Sequence, residues 1–148
     1  GDIEKEYNFF SSIISKNYKF EILKKIDNMS SYKYTDKAEY TAFIESTLGY
    51  ESLARKNKIM GFSIRGNFLG MNKGHSFAWP CEEISEGPSW TSKNDINEFA
   101  RIEKFALSST QKDWDEIYSR YSDKIMLYDD NNKLIKDLFK KTGIKNFI

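Results

Sequence analysis

The sequence predicts an α+β domain, and three observations support that prediction. Apolar residues recur at helical spacing near both ends of the 148-residue chain. Between these segments, at Lys58, the apolar period changes from about 3.6 to 2, which is typical of a strand. Two turn signals follow, Gly66-Asn67 and Asn72-Lys73-Gly74. We therefore expect an antiparallel sheet of three to four strands, a meander at about 58–80 plus 124–128, packed with five to six helices.

Length and composition favour a single domain over residues 1–148. Apolar residues make up 39% of the chain and aromatic residues 16%, more than disordered chains contain. Cys81 is the single cysteine, which excludes an internal disulfide and a cysteine-based zinc cluster. No run approaches the roughly 18 apolar residues of a membrane span, and no signal-peptide core opens the chain. We expect a cytoplasmic protein without cofactor or membrane contact. Lysine far outnumbers arginine and valine is absent, which favours an AT-rich bacterial gene.

The N-terminal third is predicted to be helical. Asp2 is a candidate N-cap for a first helix, and Asn17 marks a break before a second. Thr35, with Asp36 in the first turn, begins a further helix that Gly49 ends or bends. The apolar positions that define these helices are Ile3, Tyr7, Phe10, Ile13, Ile14, Phe20, Leu23, Ile26, Tyr40, Phe43, Ile44 and Leu48.

The predicted meander has two unlike faces. A turn at Gly66-Asn67 joins the first two strands, and a turn at 72–74 begins a third strand, 75–79, that Pro80 ends. The apolar face would consist of Met60, Phe62, Ile64, Leu69, Met71, Phe77 and Trp79. The other face is small, and we expect a helix to pack on it, with a ligand or partner groove as the alternative. Its residues would be Gly61, Ser63, Arg65, Phe68, Gly70, Ser76 and Ala78.

The C-terminal part alternates loops, helices and one short strand in the sequence-based prediction. The segment 81–91 contains Gly87-Pro88 and is predicted to be an exposed loop. Ser92 resembles a cap for a helix that runs to Leu107, and another helix follows Thr110. Residues 124–128 form an apolar run before a turn at 129–132, which predicts a fourth strand. A last amphipathic helix ends near Gly143.

A catalytic interpretation depends on His75, which is the only histidine. Paired histidines and the HExxH zinc motif are therefore excluded. In the predicted register Lys73, Arg65 and Ser76 lie near His75, which could act as general base while the cations stabilise a phosphorane. This predicts, as an alternative function, a small metal-independent ribonuclease or toxin domain. A lone histidine is a signal of low specificity, so we favour a structural role and assign neither a catalytic residue nor a metal site.

A binding interpretation depends on the segment around the glycine and proline of the predicted exposed loop. It combines acids with large aromatic residues, and interface anchors are enriched in tryptophan, while an acidic rim speeds capture of a basic partner. The candidate partner-binding residues are Trp79, Glu82, Glu83, Ile84, Glu86 and Trp90. The leading hypothesis is therefore a non-enzymatic immunity or inhibitor protein that blocks another protein, such as a basic toxin or nuclease.

A third hypothesis is a nucleic-acid-binding regulatory module. The last sixteen residues carry five lysines against a single acid, Asp137. The lysines are Lys133, Lys136, Lys140, Lys141 and Lys145. Aromatic residues are not interleaved with them as in single-strand platforms, and a net charge of +1 gives no strong basic prior. We therefore favour a solvated helix face over a nucleic-acid site.

Overall fold

The computed structural model describes residues 2–70, 76–79 and 81–143. The chain divides into two compact units, Gly1–Ser31 and Tyr32–Ile148. This division does not test the prediction of one domain over residues 1–148, which stays a prediction. In the described part of the chain, none of the helices has both the length and the apolar character needed to cross a bilayer.

The first unit contains helix α1, Ile3–Ile13. The carboxylate of Asp2 accepts a hydrogen bond from the backbone N–H of Lys5 at 3.3 Å, so the predicted cap is confirmed. The ring of Phe20 stacks on Tyr7 with 5.1 Å between centroids. The second helix predicted after Asn17 is wrong, because residues 19–26 have no helical assignment.

The second unit is built on a parallel sheet, which corrects the antiparallel prediction. The described strands are β1, Thr41–Phe43; β2, Ile59–Phe62; and β3, Trp90–Thr91, in the order β1-β2-β3. Phe43 pairs with Gly61, and Gly61 pairs with Trp90, both in parallel register. Helix α2, Ser30–Lys37, precedes β1, and helix α3, Thr47–Ala54, connects β1 to β2. The helix predicted from Thr35 to Gly49 is therefore interrupted by a strand.

The predicted hairpin after β2 is also wrong. Helix α4, Arg65–Phe68, contains Gly66-Asn67, and the Asn67 side chain donates to the carbonyl of Ser92 at 3.0 Å. The turn predicted at 72–74 and the start of the third strand lie outside the described residues. Residues 76–79 form a turn, with the N–H of Trp79 bonded to the carbonyl of Ser76 at 3.1 Å. Alternation at 59–64 indicates a strand correctly, but the chain then leaves the sheet instead of reversing along it.

The two faces of β2 are covered by different elements. Ile59 and Gly61 are buried, and a methyl group built on Gly61 would lie 2.6 Å from the Phe77 ring. This glycine therefore lets Phe77 approach the sheet closely. Phe62 faces the other way and meets the ring of Phe99 edge-on at 5.4 Å. The face predicted to be small thus packs against the aromatic core.

The remaining helices follow β3. Helix α5 begins after Asp95, whose carboxylate accepts from the N–H of Asn97, and α6 begins with a capping box between Thr110 and Asp113. The described helices are α5, Ile96–Ser108; α6, Gln111–Ile117; α7, Asp123–Ile125; and α8, Lys133–Lys141. A π-helical turn, Tyr118–Ser122, joins α6 to α7. The strand predicted at 124–128 is wrong, because its first two residues belong to α7 and the next three have no strand pairing.

The hydrophobic core lies against the sheet. Its buried members are Phe43, Leu53, Ile59, Phe77, Trp90, Trp114, Ile117 and Tyr118. Phe77 stacks on Trp90 with 4.7 Å between ring centroids and 13° between planes. The segment 81–91, predicted to be an exposed loop, therefore contributes one of the two tryptophans of the described core.

Candidate functional site

The candidate partner-binding residues divide between the interior and the surface. Trp90 is completely buried, and its indole N–H donates to the carbonyl of Ile84, itself buried, at 2.8 Å. Trp79 is 58% exposed, and Glu83 is also exposed. Glu82 begins a short 3-10 turn that ends at Ile84. The six residues therefore do not form one exposed surface.

Glu86 and Arg101 hold this segment against the sheet. The Glu86 carboxylate accepts from the Thr91 hydroxyl at 2.8 Å and from the N–H of Ser92 at 3.0 Å. The guanidinium of Arg101 donates to the carbonyls of Gly87, Pro88 and Trp90 at 3.0, 3.0 and 3.3 Å. These polar groups satisfy the segment's own backbone, so they have a structural role.

The alternative sites are only partly described. His75 and Lys73 lie outside the described residues. Arg65 is exposed at the start of α4, where its N–H donates to the Glu45 carboxylate at 2.8 Å. Ser76 is half-buried at the start of its turn. Of the five C-terminal lysines, Lys145 is outside the description and the other four lie exposed on α8.

A pocket of about 320 Å³ forms at a different place in the second unit. We call it the tyrosine pocket. It is lined by Tyr32, Glu51, Ala54, Arg55, Met126, Leu127, Tyr128, Asp129 and Asn132. Ligand sites typically measure about 300–1,000 Å³ and combine apolar walls with a few placed polar groups. The tyrosine pocket meets both conditions.

Helical periodicity places most of the polar groups. Tyr32 and Asp36 are one turn apart on α2, so they lie on the same helix face. Glu51 and Arg55 have the same separation at the end of α3. The extended segment 126–129 follows α7 and supplies Tyr128 and the apolar lining. Three separate stretches of sequence therefore meet at this pocket.

Arg55 and Asp36 form the ionic centre of the site. The Arg55 Nε donates to Asp36 Oδ1 at 3.0 Å, and Nη2 bonds the other carboxylate oxygen. The Asn57 amide donates to Asp36 Oδ1 at 2.9 Å. Burial raises the pKa of Asp36, but the hydrogen bonds from Arg55 and Asn57 outweigh it, so the pKa lies below its ordinary value. The same contact raises the pKa of Arg55, and the pair is fully charged at neutral pH.

Two tyrosine rings flank this cation. The guanidinium carbon of Arg55 lies 5.4 Å from the Tyr32 ring centroid and 5.6 Å from that of Tyr128. Both distances are within the range of a cation–π contact. The Tyr32 hydroxyl is hydrogen-bonded to the Glu51 carboxylate, which raises the pKa of Tyr32. The arginine and Glu51 therefore keep the Tyr32 ring in position, while Tyr128, 49% exposed, forms the outer wall.

The end of the pocket is shaped by the start of α8. The Asp129 carboxylate accepts from the N–H groups of Leu134 at 3.0 Å and Ile135 at 3.4 Å. Asn131 and Asn132 both adopt the left-handed conformation, with φ of 57° and 55°, which asparagine tolerates better than most residues. This tight turn places Asn132 in the pocket lining, while the Asp129 carboxylate bonds the first turn of α8.

The pocket combines aromatic faces with planar polar groups. A guanidinium, carboxylates and an amide can donate and accept several hydrogen bonds in fixed directions, and the tyrosine rings offer flat apolar surface. Among residues 2–70, 76–79 and 81–143, no three His, Cys, Asp or Glu side chains are grouped so that they could hold a metal ion. The described arrangement is suited to binding a polar organic molecule.

Sequence reasoning did not identify this pocket. The one local signal was the spacing of Glu51 and Arg55, which places a carboxylate and a guanidinium one helical turn apart. The interpretation of 124–128 as a strand, and of 129–132 as a turn only, hid the contribution of Tyr128 and Asp129.

A family model described as "putative O-antigen biosynthesis protein" matches residues 1–143. No curated protein and no solved structure matches the chain.

Proposed function

The chain belongs to this O-antigen biosynthesis family, and from that membership we propose that it binds a saccharide in the tyrosine pocket during the building of a surface polysaccharide. The observation that supports this proposal is the joining of two tyrosine rings, one guanidinium and two carboxylates around one cavity of about 320 Å³.

Saccharide chemistry explains why these residue types are the relevant ones. A sugar ring presents axial C–H groups on one face, which pack on aromatic rings, and adjacent hydroxyls at its edge. Two adjacent hydroxyls match planar groups that donate or accept at two points, as guanidinium, carboxylate and amide groups do. Tyr32 and Tyr128 supply the rings, and Arg55, Glu51 and Asn132 supply the planar groups. One sugar unit is of a size that such a cavity accepts.

Titration calorimetry or saturation-transfer NMR with a panel of free hexoses and N-acetylhexosamines tests the proposal. Single sugars are expected to bind weakly, with a Kd on the order of 1 mM. Tyr128→Ala removes one stacking surface and should weaken binding about tenfold, while Tyr128→Phe should retain most of it.

Tyr18→Ala is the matched control, because Tyr18 is 73% exposed and lies in the other unit. It should bind as the unmodified protein does. The proposal is wrong if no sugar in the panel binds, or if Tyr18→Ala and Tyr128→Ala weaken binding equally.

The immunity or inhibitor hypothesis stays a prediction with a smaller set of surface residues. Burial of Trp90 and Ile84 leaves Trp79 and Glu83 as its described exposed members. Replacing both by alanine should abolish capture of a basic toxin if that hypothesis is right, and should leave sugar binding unchanged. If the ribonuclease hypothesis is right, the purified protein should degrade RNA without metal, and His75→Ala should abolish that degradation.

A further inference from the structure

The charges around the tyrosine pocket restrict the class of saccharide that it can take. Two carboxylates, Glu51 and Asp129, line the cavity, and Arg55 is the only basic residue among the lining residues that the structure describes. Asp36 binds that guanidinium through both carboxylate oxygens. The single cation is thus compensated before any ligand arrives, and two further acids face the cavity.

This arrangement differs from that of a phosphate site. Proteins bind phosphate with guanidinium or ammonium groups whose donors are directed at the anion, or with backbone N–H groups at a helix start. At the tyrosine pocket, two of the Arg55 nitrogens are bonded to Asp36. The N–H groups of Leu134 and Ile135 at the start of α8 are bonded to Asp129, so they are not directed at an anion. The remaining N–H groups of Arg55 belong to a guanidinium whose charge Asp36 already balances.

We infer that the tyrosine pocket recognises an uncharged saccharide unit and rejects the phosphate-bearing form of the same sugar. The inference rests on the proposed function and adds the ligand class to it.

Hydroxyl groups satisfy the pocket where a phosphate does not. A hydroxyl donates to the remaining lone pairs of Glu51 or Asp129 and accepts from the Asn132 amide or from an unused Arg55 N–H. A phosphate dianion has no hydrogen to donate to Glu51 or Asp129, and it would lie close to these two carboxylates of like charge. The exclusion is electrostatic, so it should weaken as salt screens the charges.

The experiment compares ligands that share one sugar ring. A hexose that binds in the panel is titrated beside its 1-phosphate and beside the uronic acid of the same configuration, in low salt and in 1 M NaCl. We expect the two anionic forms to bind at least tenfold more weakly in low salt, and the difference to narrow in high salt.

Asp36→Asn provides a gain of function. This change removes the negative charge of Asp36, which balances the charge of Arg55, and it leaves Arg55 and both tyrosines in place. Because Arg55 is then uncompensated, the affinity for the 1-phosphate should rise several-fold relative to the affinity for the hexose. Glu103→Gln is the matched control, because Glu103 is exposed on α5 and lines none of the pocket. It should leave the ratio of the two affinities unchanged.

The outcomes distinguish the rejection of phosphate from the saccharide binding on which it depends. Equal or tighter binding of the 1-phosphate by the unmodified protein would overturn the inference and leave saccharide binding in place. An unchanged affinity ratio in Asp36→Asn, in a protein that still folds by circular dichroism, would also overturn it. If neither the hexoses nor their phosphates bind, the proposed function fails and the inference fails with it.

Discussion

Two segments of this chain combine aromatic and acidic residues, and the fold uses them in opposite ways. In the segment 79–91, Trp90 is completely buried and Glu86 bonds the neighbouring strand. In the segment 126–132, Tyr128 is half-exposed and Asp129 lines a cavity. Composition is therefore a poor guide to which segment lines a cavity. What distinguishes them is where the polar groups find their partners.

In the inward segment, Trp90 and three backbone carbonyls have hydrogen-bond partners within the protein. The indole N–H of Trp90 reaches Ile84, and the Arg101 guanidinium reaches three carbonyls between 87 and 90. At the tyrosine pocket, by contrast, the hydrogen bond from Arg55 to Asp36 joins two helices, α3 and α2. Polar side chains there line an open cavity. Removing a residue from the first segment should cost stability, and removing one from the second should cost binding.

The largest expected effect is the loss of Trp90. Trp90→Ala would leave a cavity beside Phe77 and should lower the free energy of unfolding by about 3–5 kcal/mol. Trp79→Ala, eleven residues earlier and exposed, should change it by less than about 0.5 kcal/mol. Urea denaturation measures both. If the two substitutions lower the free energy of unfolding by similar amounts, Trp90 is not more important for stability than the exposed Trp79, and the account is wrong on this point.

Arg101 comes next in expected size. Arg101→Ala would leave the carbonyls of Gly87, Pro88 and Trp90 without their charged donor, at a cost of about 2 kcal/mol. Lys104→Ala, at an exposed position on the same helix, is the control and should be nearly neutral. A neutral Arg101→Ala in thermal or chemical denaturation would mean that water replaces these hydrogen bonds without loss.

Substitution of Tyr128 should affect binding more than stability. Because half of its side chain is exposed, Tyr128→Ala should lower the free energy of unfolding by no more than about 1 kcal/mol. The same change should weaken saccharide binding about tenfold. Denaturation and calorimetry on one preparation measure the two quantities. A stability loss as large as that of Trp90→Ala would place Tyr128 with the structural residues.

The smallest effect concerns the pH dependence of the Arg55 to Asp36 ion pair. Its partners hold the pKa of Asp36 below the ordinary value of 3.8. Because the pKa of Asp36 is lower in the folded protein than in the unfolded chain, the ion pair adds stability at pH values above the unfolded-chain pKa. This added stability is lost as the pH falls through the pKa of Asp36 in the folded protein. Because the side chains are partly exposed, the contribution should be below about 1 kcal/mol.

A double-mutant cycle isolates this contribution. Asp36→Asn should destabilise the protein at pH 7, and the destabilisation should shrink as pH falls through the pKa of Asp36 in the folded protein. In an Arg55→Gln background the same change should have a much smaller effect at pH 7. Urea denaturation across pH measures these effects. An equal effect of Asp36→Asn in both backgrounds would show that the ion pair is not the source of the pH-dependent stability.

Local signals in the sequence predicted the helices better than the sheet. The cap at Asp2, together with helical spacing, located α1, α5, α6 and α8 closely. The sheet escaped prediction because β1 has three residues, β3 has two, and both pair with β2 across long stretches of chain. Alternation marks a strand, but it does not say whether the neighbouring strand is parallel.

The tyrosine pocket could not be predicted for a related reason. Its lining comes from residues 32, 51–55 and 126–132, which only the parallel arrangement of the sheet and its helices brings together. The prediction of an exposed loop around Trp90 failed because a glycine and a proline suggested a surface connector. In the fold, Gly87 packs directly under the Trp90 ring, so this glycine serves close packing instead.

Backbone chemical-shift mapping by NMR tests the central claim most directly, because it asks which of the two segments meets the ligand. On titration with a hexose that binds, the largest shifts should occur at the amides of Tyr32, Arg55, Tyr128 and Asn132, with little change from 79 to 86. Shifts centred on Trp79 and Glu83, with the tyrosine pocket unchanged, would contradict the account.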